Sequence, residues 1–318
     1  MALVAALATI SLFIGVAELD AFILFASRVP RTVALVLAGA ALAITGLIMQ
    51  LLVRNRFVEP GTTGATDAAS LALLALLLLA PAMPIWLMAL VASVGALAGV
   101  YGFLVLARRI PARSSVLVPI VGILYGGVIG AVTTFIALRT EMLQELLSWS
   151  IGDFSGVLRG RYEILYLAAA AALIAWIVAD RFTLLGLGDD AARGLGLETR
   201  GVMAVGVAII AVVTGIMLVV VGALPFLGLI APNIVSRLIG DNMRRAVPLV
   251  ALLGASIVLL CDIIGRLVRF PFEIPLSLVM GVLGGIVFLW LLLGTAKQVD
   301  AVGPRRTRRA SLMRGGAR

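Results

Sequence analysis

Arg28-Val29-Pro30-Arg31 opens the stretch that decides the architecture. It is followed by an apolar run of small residues, Gly39-Ala40-Ala41-Leu42-Ala43-Ile44-Thr45-Gly46, which reaches Gln50 and closes with Arg54-Asn55-Arg56-Phe57-Val58-Glu59-Pro60 and Gly64. Arginines bracket a span whose strongly polar interior group is a single amide. A bilayer core of about 30 Å takes roughly 20 apolar helical residues, and the run between Arg31 and Arg54 meets that length.

The rest of the chain agrees. Its 318 residues are 62% hydrophobic and 13% charged, with a mean hydropathy of +1.18, which leaves too little polar surface to cover a water-soluble fold. In lipid the backbone must satisfy its own hydrogen bonds, in helices or a closed barrel. The apolar runs are too long and continuous for alternating barrel strands. The fold class expected is therefore an all-α integral membrane protein of about ten transmembrane helices.

Breaks at charges, prolines and polar clusters divide the chain into spans at about 2–18, 30–53, 64–82, 85–107, 115–137, 163–180, 201–221, 223–240, 246–268 and 274–294. The first lacks a basic leader and a cleavage site, so it reads as a retained helix rather than a secretory signal. One polytopic domain over 1–296 is expected, followed by a basic, flexible cytoplasmic tail over 297–318. With both termini inside, the cytoplasmic side receives Arg54, Arg56, Arg108, Arg109, Arg113, Arg181, Arg193, Arg200, Arg237, Arg244, Arg245, Lys297 and the tail. The outer side keeps Arg28, Arg31, Arg139, Arg159, Arg161, Arg266 and Arg269, an imbalance that obeys the positive-inside rule. The net charge of +9 is thus mostly a topology signal, and the tail's expected contact is anionic lipid, not nucleic acid.

Several chemistries drop out. The chain has no histidine and one cysteine, Cys261, so a disulfide within the chain and His- or thiolate-based metal sites are excluded. Lys297 is the only lysine and no phosphate-binding glycine loop precedes it, so any ATP must bind on another subunit. An intramembrane enzyme lacks a histidine, an acid pair at mid-membrane and an activated nucleophile.

Glycine spacings at Gly95/Gly99, Gly122/Gly126/Gly130 and Gly281/Gly285 mark expected helix contacts. The second and eighth spans share small-residue richness and a basic inner end, so spans two to five and seven to ten read as inverted-topology halves. Three connections carry more pattern than a link needs. Met142, Leu143, Leu146, Leu147 and Trp149 have helical apolar spacing, which fits an amphipathic helix on the outer surface, as an anchor or as a gate. In the inner segment 184–198, Asp189 is expected to cap a short helix that Gly194 or Gly196 ends, either a linker or a knob for a partner's groove. Pro232 predicts a kink or unwound turn in the eighth span.

In order along the chain, RVPR with LVLAGAALAITGLIMQ, RNRFVEPGTTG, LGLGDDAARGLGL, GALPFLGLIAPNIVSRLIGDN, the run from Asp262 to Arg266, and EIPLSLVMGVLGGIVFLWLL resemble the FecCD-type permeases of ABC importers for iron-siderophores, haem and cobalamin. The resemblance implies a type II ABC importer permease fold in the bacterial cell membrane. It further implies two permease subunits around one pathway, two cytoplasmic ATPases carrying ATP and magnesium, an external substrate-binding protein, and no cofactor on this chain. Two departures stand out: the usual NPLADP is Asn55-Arg56-Phe57-Val58-Glu59-Pro60 here, and the usual proline-histidine is Pro232-Asn233. Both variants are similar to the branch handling catecholate siderophores such as petrobactin.

By the same resemblance, Arg28, Arg31, Arg266 and Arg269 are expected to dock the binding protein. Rim charges of this kind set register and on-rate more than affinity. Their plain alternative is anchoring at lipid headgroups. Gly186, Gly188, Asp189, Ala192, Gly194 and Gly196 fall in the segment that matches the coupling helices seated in the ATPase groove. Gln50, Pro232 and Asn233 are candidate pathway or gating positions, on a pathway lined by the second, fifth and eighth helices. Asp262 is expected to pair with Arg266 one helical turn away. The competing function is an ion-coupled secondary transporter, which needs intramembrane ionisable groups, and Asp67 and Asp262 are almost all the chain offers.

Overall fold

The computed structural model of the protein describes residues 1–15, 20–110, 116–240, 242–291 and 293. Among them the regular elements are helices: α1 (Ala2–Phe13), α2 (Ala21–Val53), α3 (Ala65–Leu79), α4 (Ile85–Ala107), α5 (Leu117–Arg139), α6 (Leu143–Ser150), α7 (Leu165–Ile177), α8 (Ala179–Gly186), α9 (Asp189–Gly194), α10 (Thr199–Val220), α11 (Leu227–Ile239), α12 (Met243–Leu267) and α13 (Leu276–Leu291). The tail over 297–318, with Lys297, lies outside the described residues.

Helices α2, α4, α5, α10 and α12 are long and apolar enough to cross a bilayer, and α7 with α8 forms a sixth span bent by 64°. The other spans read from the sequence are the shorter apolar helices α1, α3, α11 and α13. A helix as short as α11, with 13 residues, covers only about 20 Å. The reason lies in what precedes α3 and α11. Segments 54–64 and 221–226 turn back into the bundle before their helices begin, at Gly64 (φ 75°) and Phe226 (φ 65°). The two halves of the chain thus repeat one device, a long helix, a turned-back segment and a short helix.

α2 runs through the centre of the bundle because its small residues let backbones touch it. A Cβ on Gly39 would lie 2.7 Å from the Gly254 carbonyl oxygen of α12, and one on Gly46 would lie 1.9 Å from the Gly228 carbonyl oxygen of α11. Gly95 and Gly99 admit α3 against α4 in the same way, and Gly122 and Gly126 seat α5 on Thr62 and Gly64. Gly281 and Gly285 differ from expectation: nothing described lies within 4 Å of a Cβ on either, and it is Gly284 that packs, on Phe226.

The expected outer helix forms as α6, with Leu146 buried and Leu147 exposed. It also braces the second turned-back segment, since the Ala223 N–H donates to the Trp149 carbonyl at 2.9 Å and the Asp153 N–H to that of Val221 at 2.9 Å. α5 stays largely uncovered, with Ile123, Leu124, Val128 and Phe135 all exposed. In the bilayer that face meets lipid or a second polypeptide.

Candidate functional site

Of the kink or unwound turn expected at Pro232, the unwound turn does not occur there: α11 is continuous from Leu227 to Ile239, and the irregular backbone precedes it. Proline removes the N–H that would bond the carbonyl four residues earlier. That carbonyl belongs to Gly228, and the Gln50 side-chain amide donates to it from α2 at 3.3 Å. A neighbouring donor therefore replaces the missing rung, and the helix need not bend. Helix α12 uses the same substitution: Pro248 frees the Arg244 carbonyl, which accepts from the Trp176 indole at 3.4 Å.

Beside this contact, segment 54–64 inserts Glu59 into the start of α11. The Glu59 carboxylate is buried and accepts from the Phe226 N–H at 3.0 Å, with the Gly228 and Leu229 N–H groups also bonded to it. The first N–H groups of a helix have no partner within it, and its N-terminus carries partial positive charge. A carboxylate from a distant segment fills both needs and fastens one half of the chain to the other. Asn233 adds a second fastening, its amide donating to the Arg56 and Leu229 carbonyls, each at 2.7 Å. Replacing Glu59 by glutamine keeps the shape but removes the charge, and hydrogen bonds to charged groups are worth about 1.5–3 kcal/mol. The expected result is a lower melting temperature of the purified protein in detergent; an unchanged melt would show that the cap contributes nothing.

Two cavities, each about 520 Å³, flank this junction. The first is walled by α3, α5, α6, α10 and the segment before α11, with Thr62, Thr66, Asp67, Ser70, Thr133, Thr134 and Thr214 among its polar lining. The second lies by the C-terminal ends of α2 and α11 and takes in Gln50, Arg54, Asn55, Arg56, Gly186, Ser236 and Asn242. Of the expected pathway residues, Gln50 lines the second cavity while Pro232 and Asn233 line neither. The second and eighth spans also give the first cavity less than expected: Leu42 comes from α2 and Gly228 from α11, while α3 and α5 supply Thr66, Asp67, Ser70, Thr133 and Thr134. Glu59 and Asp67 were not singled out as site residues, and nothing local in the sequence marks Glu59 as a cap, because its partner Phe226 is 167 positions away.

Where the C-terminal ends of α1 and α12 meet the N-terminal part of α2, the expected docking arginines are mostly enclosed. Arg266 is 6% exposed and binds the Asp262 carboxylate, the Ser11 hydroxyl, and the Ser11 and Ile14 carbonyls at 3.0 and 2.9 Å. Arg28, also buried, donates to the Leu12 carbonyl at 3.0 Å. Arg31 pairs with Asp262 and Glu273, both at 2.8 Å. The guanidinium groups of Arg28 and Arg266 are thus turned onto α1 and the backbone that follows it. Arg269 alone of the four is exposed, its guanidinium over the Phe272 ring.

On the opposite side α8 and α9 form a short hairpin. Gly188, at φ 116°, is the N-cap of α9, so Asp189 is the first helical residue instead of the expected cap; its side chain lies outside the described residues. Gly196, at φ 81°, ends the helix: its N–H bonds Arg193 and that of Leu197 reaches back to Ala192, a left-handed glycine cap. Gly194, the alternative, is the last helical residue. Ala192 is fully buried and faces inward, whereas Leu187 and Leu195 are 63% and 64% exposed. Gly186 packs against the Leu51 side chain of α2. The hairpin thus presents two exposed leucines at its turn and its end.

The profile of the FecCD transport family matches residues 3–294. The chain belongs to the FecCD transport family. This FecCD permease is 44% identical over 298 residues to the petrobactin import system permease protein YclN of Bacillus subtilis (strain 168), covering 90% of this chain and 94% of that one. It is 38% identical over 274 residues to the ferric-anguibactin transport system permease protein FatD of Vibrio anguillarum, covering 86% and 87%. The vitamin B12 import system permease protein BtuC of Shigella sonnei is 39% identical over 272 residues, covering 84% and 82%. In fold, the permease is similar to a metal-chelate type ABC transporter solved in an inward-facing conformation, with a TM-score of 0.78 over 92% of this chain and 97% of that one at 21% identity. FecCD membership makes the chain a multi-pass membrane transport subunit and not an enzyme. The two departures from the FecCD pattern turn out to touch, since Asn233 bonds the carbonyl of Arg56.

Proposed function

We propose that this FecCD permease is one of two membrane subunits of an ATP-driven importer that carries a ferric siderophore, of catecholate type, from an external binding protein into the cytoplasm. The observation that supports this most is the identity with petrobactin and anguibactin permeases along nearly the whole of both chains. The second permease subunit covers α5 and closes the first cavity into a pathway. ATP and magnesium are held by two cytoplasmic ATPases, and both termini lie on their side of the membrane. The α8–α9 hairpin enters the ATPase groove with Leu187 and Leu195 as its apolar contacts. Arg269, with the exposed Arg139, Arg159 and Arg161, offers the binding protein a positive rim.

The deciding experiment is reconstitution of the permease with its ATPases and binding protein in liposomes. ATP-dependent accumulation of a ferric catecholate is expected, and uptake driven by a proton or sodium gradient without the ATPases would overturn the reading. Leu195→Asp tests the hairpin. Because the side chain is exposed, stability should hold within about 0.5 kcal/mol. Truncating a central interface anchor typically costs over 1.4 kcal/mol, so ATP-driven uptake should fall about tenfold or more. Full uptake by this variant would move the ATPase contact elsewhere. Substitutions at Ala192 would instead disturb the hairpin's own packing.

A further inference from the structure

Where α7 bends by 64° into α8, the surface changes character within a few residues. Leu173, Trp176 and Ile177 of α7 are apolar and exposed, whereas α8 buries Phe182 and Leu185 and exposes Asp180 and Arg181. The first turn of α12 abuts this bend. The Trp176 indole donates to the Arg244 carbonyl at 3.4 Å, the Met243 N–H to the Thr183 hydroxyl at 3.1 Å, and the Arg244 guanidinium to the Asp180 carboxylate at 2.7 Å. Arg181 and Arg245 stand next in sequence to the two partners of that ion pair; both are exposed, and neither side chain bonds another described residue. Among the described residues, three guanidinium groups thus meet one carboxylate at the junction. One helical turn along α12 from Arg245, Leu249 is exposed as well.

We infer that this junction binds the phosphate of an anionic phospholipid, and that the bound lipid holds α8 on α12. Exposed apolar side chains of a membrane-spanning helix lie among acyl chains, and tryptophan sits where those chains give way to headgroups. The arginines come just past Trp176, at the depth of a phosphate, with Leu173, Ile177 and Leu249 placed to line the acyl chains. The charge is complementary: an excess of guanidinium attracts an anionic headgroup, and each guanidinium can meet phosphate oxygens with two parallel hydrogen bonds. A zwitterionic headgroup carries its own cation and gains less. The Arg244–Asp180 pair, with side chains 67% and 59% exposed, is weak enough to rearrange around the guest. The α12 N-terminus adds little, since the Met243 and Arg245 N–H groups are already taken by Thr183 and Asn242. α8 continues through Leu187 into the α8–α9 hairpin, so a lipid clamped beside it steadies the hairpin's base; what this does for transport rests on the importer reading.

Native mass spectrometry of the delipidated permease in detergent, supplied with dioleoylphosphatidylglycerol or dioleoylphosphatidylcholine, reads the binding. Phosphatidylglycerol should be retained over phosphatidylcholine, and Arg181→Gln with Arg245→Gln should weaken it about thirtyfold, the change that two basic residues make near an anionic surface. Arg109→Gln with Arg200→Gln removes the same charge from exposed positions elsewhere and should retain the lipid as the intact protein does. Equal retention by the two double variants, or displacement of the lipid by soluble glycerol phosphate at equal concentration, would overturn the lipid site. In the reconstituted importer, ATP-driven uptake of a ferric catecholate should rise about threefold or more when phosphatidylglycerol joins phosphatidylcholine in the liposome, and the gain should vanish in Arg181→Gln with Arg245→Gln. No gain in the intact permease, or a gain kept in that variant, would overturn the hold on the hairpin. No ATP-driven uptake in either membrane would overturn the importer reading alone, with lipid retention still decided by its own measurement.

Discussion

Gly46→Ala is expected to leave almost no folded, transport-competent permease. The added carbon would stand 1.9 Å from the Gly228 carbonyl oxygen and 2.3 Å from its Cα, and these are backbone atoms that no rotamer change can move aside. Relief requires α2 and α11 to separate. Separation stretches the Gln50 bond to Gly228 and draws Glu59 from the start of α11. Overpacking by one methyl in a well-filled interior costs about 1–3 kcal/mol. Here an unsatisfied buried carbonyl adds about 1–3 kcal/mol more. Gly127→Ala is the control, since nothing among the described residues lies within 4 Å of a Cβ there. Yield of monodisperse protein in detergent and its melting temperature are the readouts, and a Gly46→Ala variant that behaves like Gly127→Ala would refute the contact.

Removing Asp262 should be nearly as damaging. Its carboxylate is the shared counter-charge of Arg31 and Arg266, and Arg266 is closed in by α1 with its Nε lacking a partner among the described residues. Breaking a buried pair by deleting one partner costs about 3–5 kcal/mol, because the remaining charge stays buried. Asp262→Ala is therefore expected to lower the melting temperature sharply and to loosen α1. The double variant Asp262→Ala with Arg266→Met should recover part of the loss, since the stranded cation is gone. Equal melting of single and double variants would mean that the pair's charge is not what holds the outer end together.

Hydropathy located the helices well because each apolar run is set off by arginines or prolines, and the Asp262–Arg266 pair followed from helical spacing alone. The shortness of α3 and α11 was not legible. Segment 221–226 is apolar enough to be added to its neighbouring spans, and only its bonds to Trp149, Asp153 and Glu59 mark it as a turned-back segment, while α3 stops at Leu79, short of the expected end. Pro232 misled for a related reason: a proline predicts a break only if no donor reaches the carbonyl it frees, and Gln50 is 178 positions from that carbonyl. The arginines Arg28 and Arg266 looked like surface charge because α1, which covers them, carries no polar mark beyond Ser11 and Thr9. Motif likeness pointed to the family and to the hairpin, but burial within the hairpin, with Ala192 inside and the leucines outside, required the fold.

The contact between Gln50 and the carbonyl freed by Pro232 ties the two halves of the chain at one atom. Proline at 232 leaves the Gly228 carbonyl without its helical donor, and the Gln50 amide supplies one from α2. A shift of α11 along α2 must break or remake that bond, so each half of the chain registers the position of the other at this point.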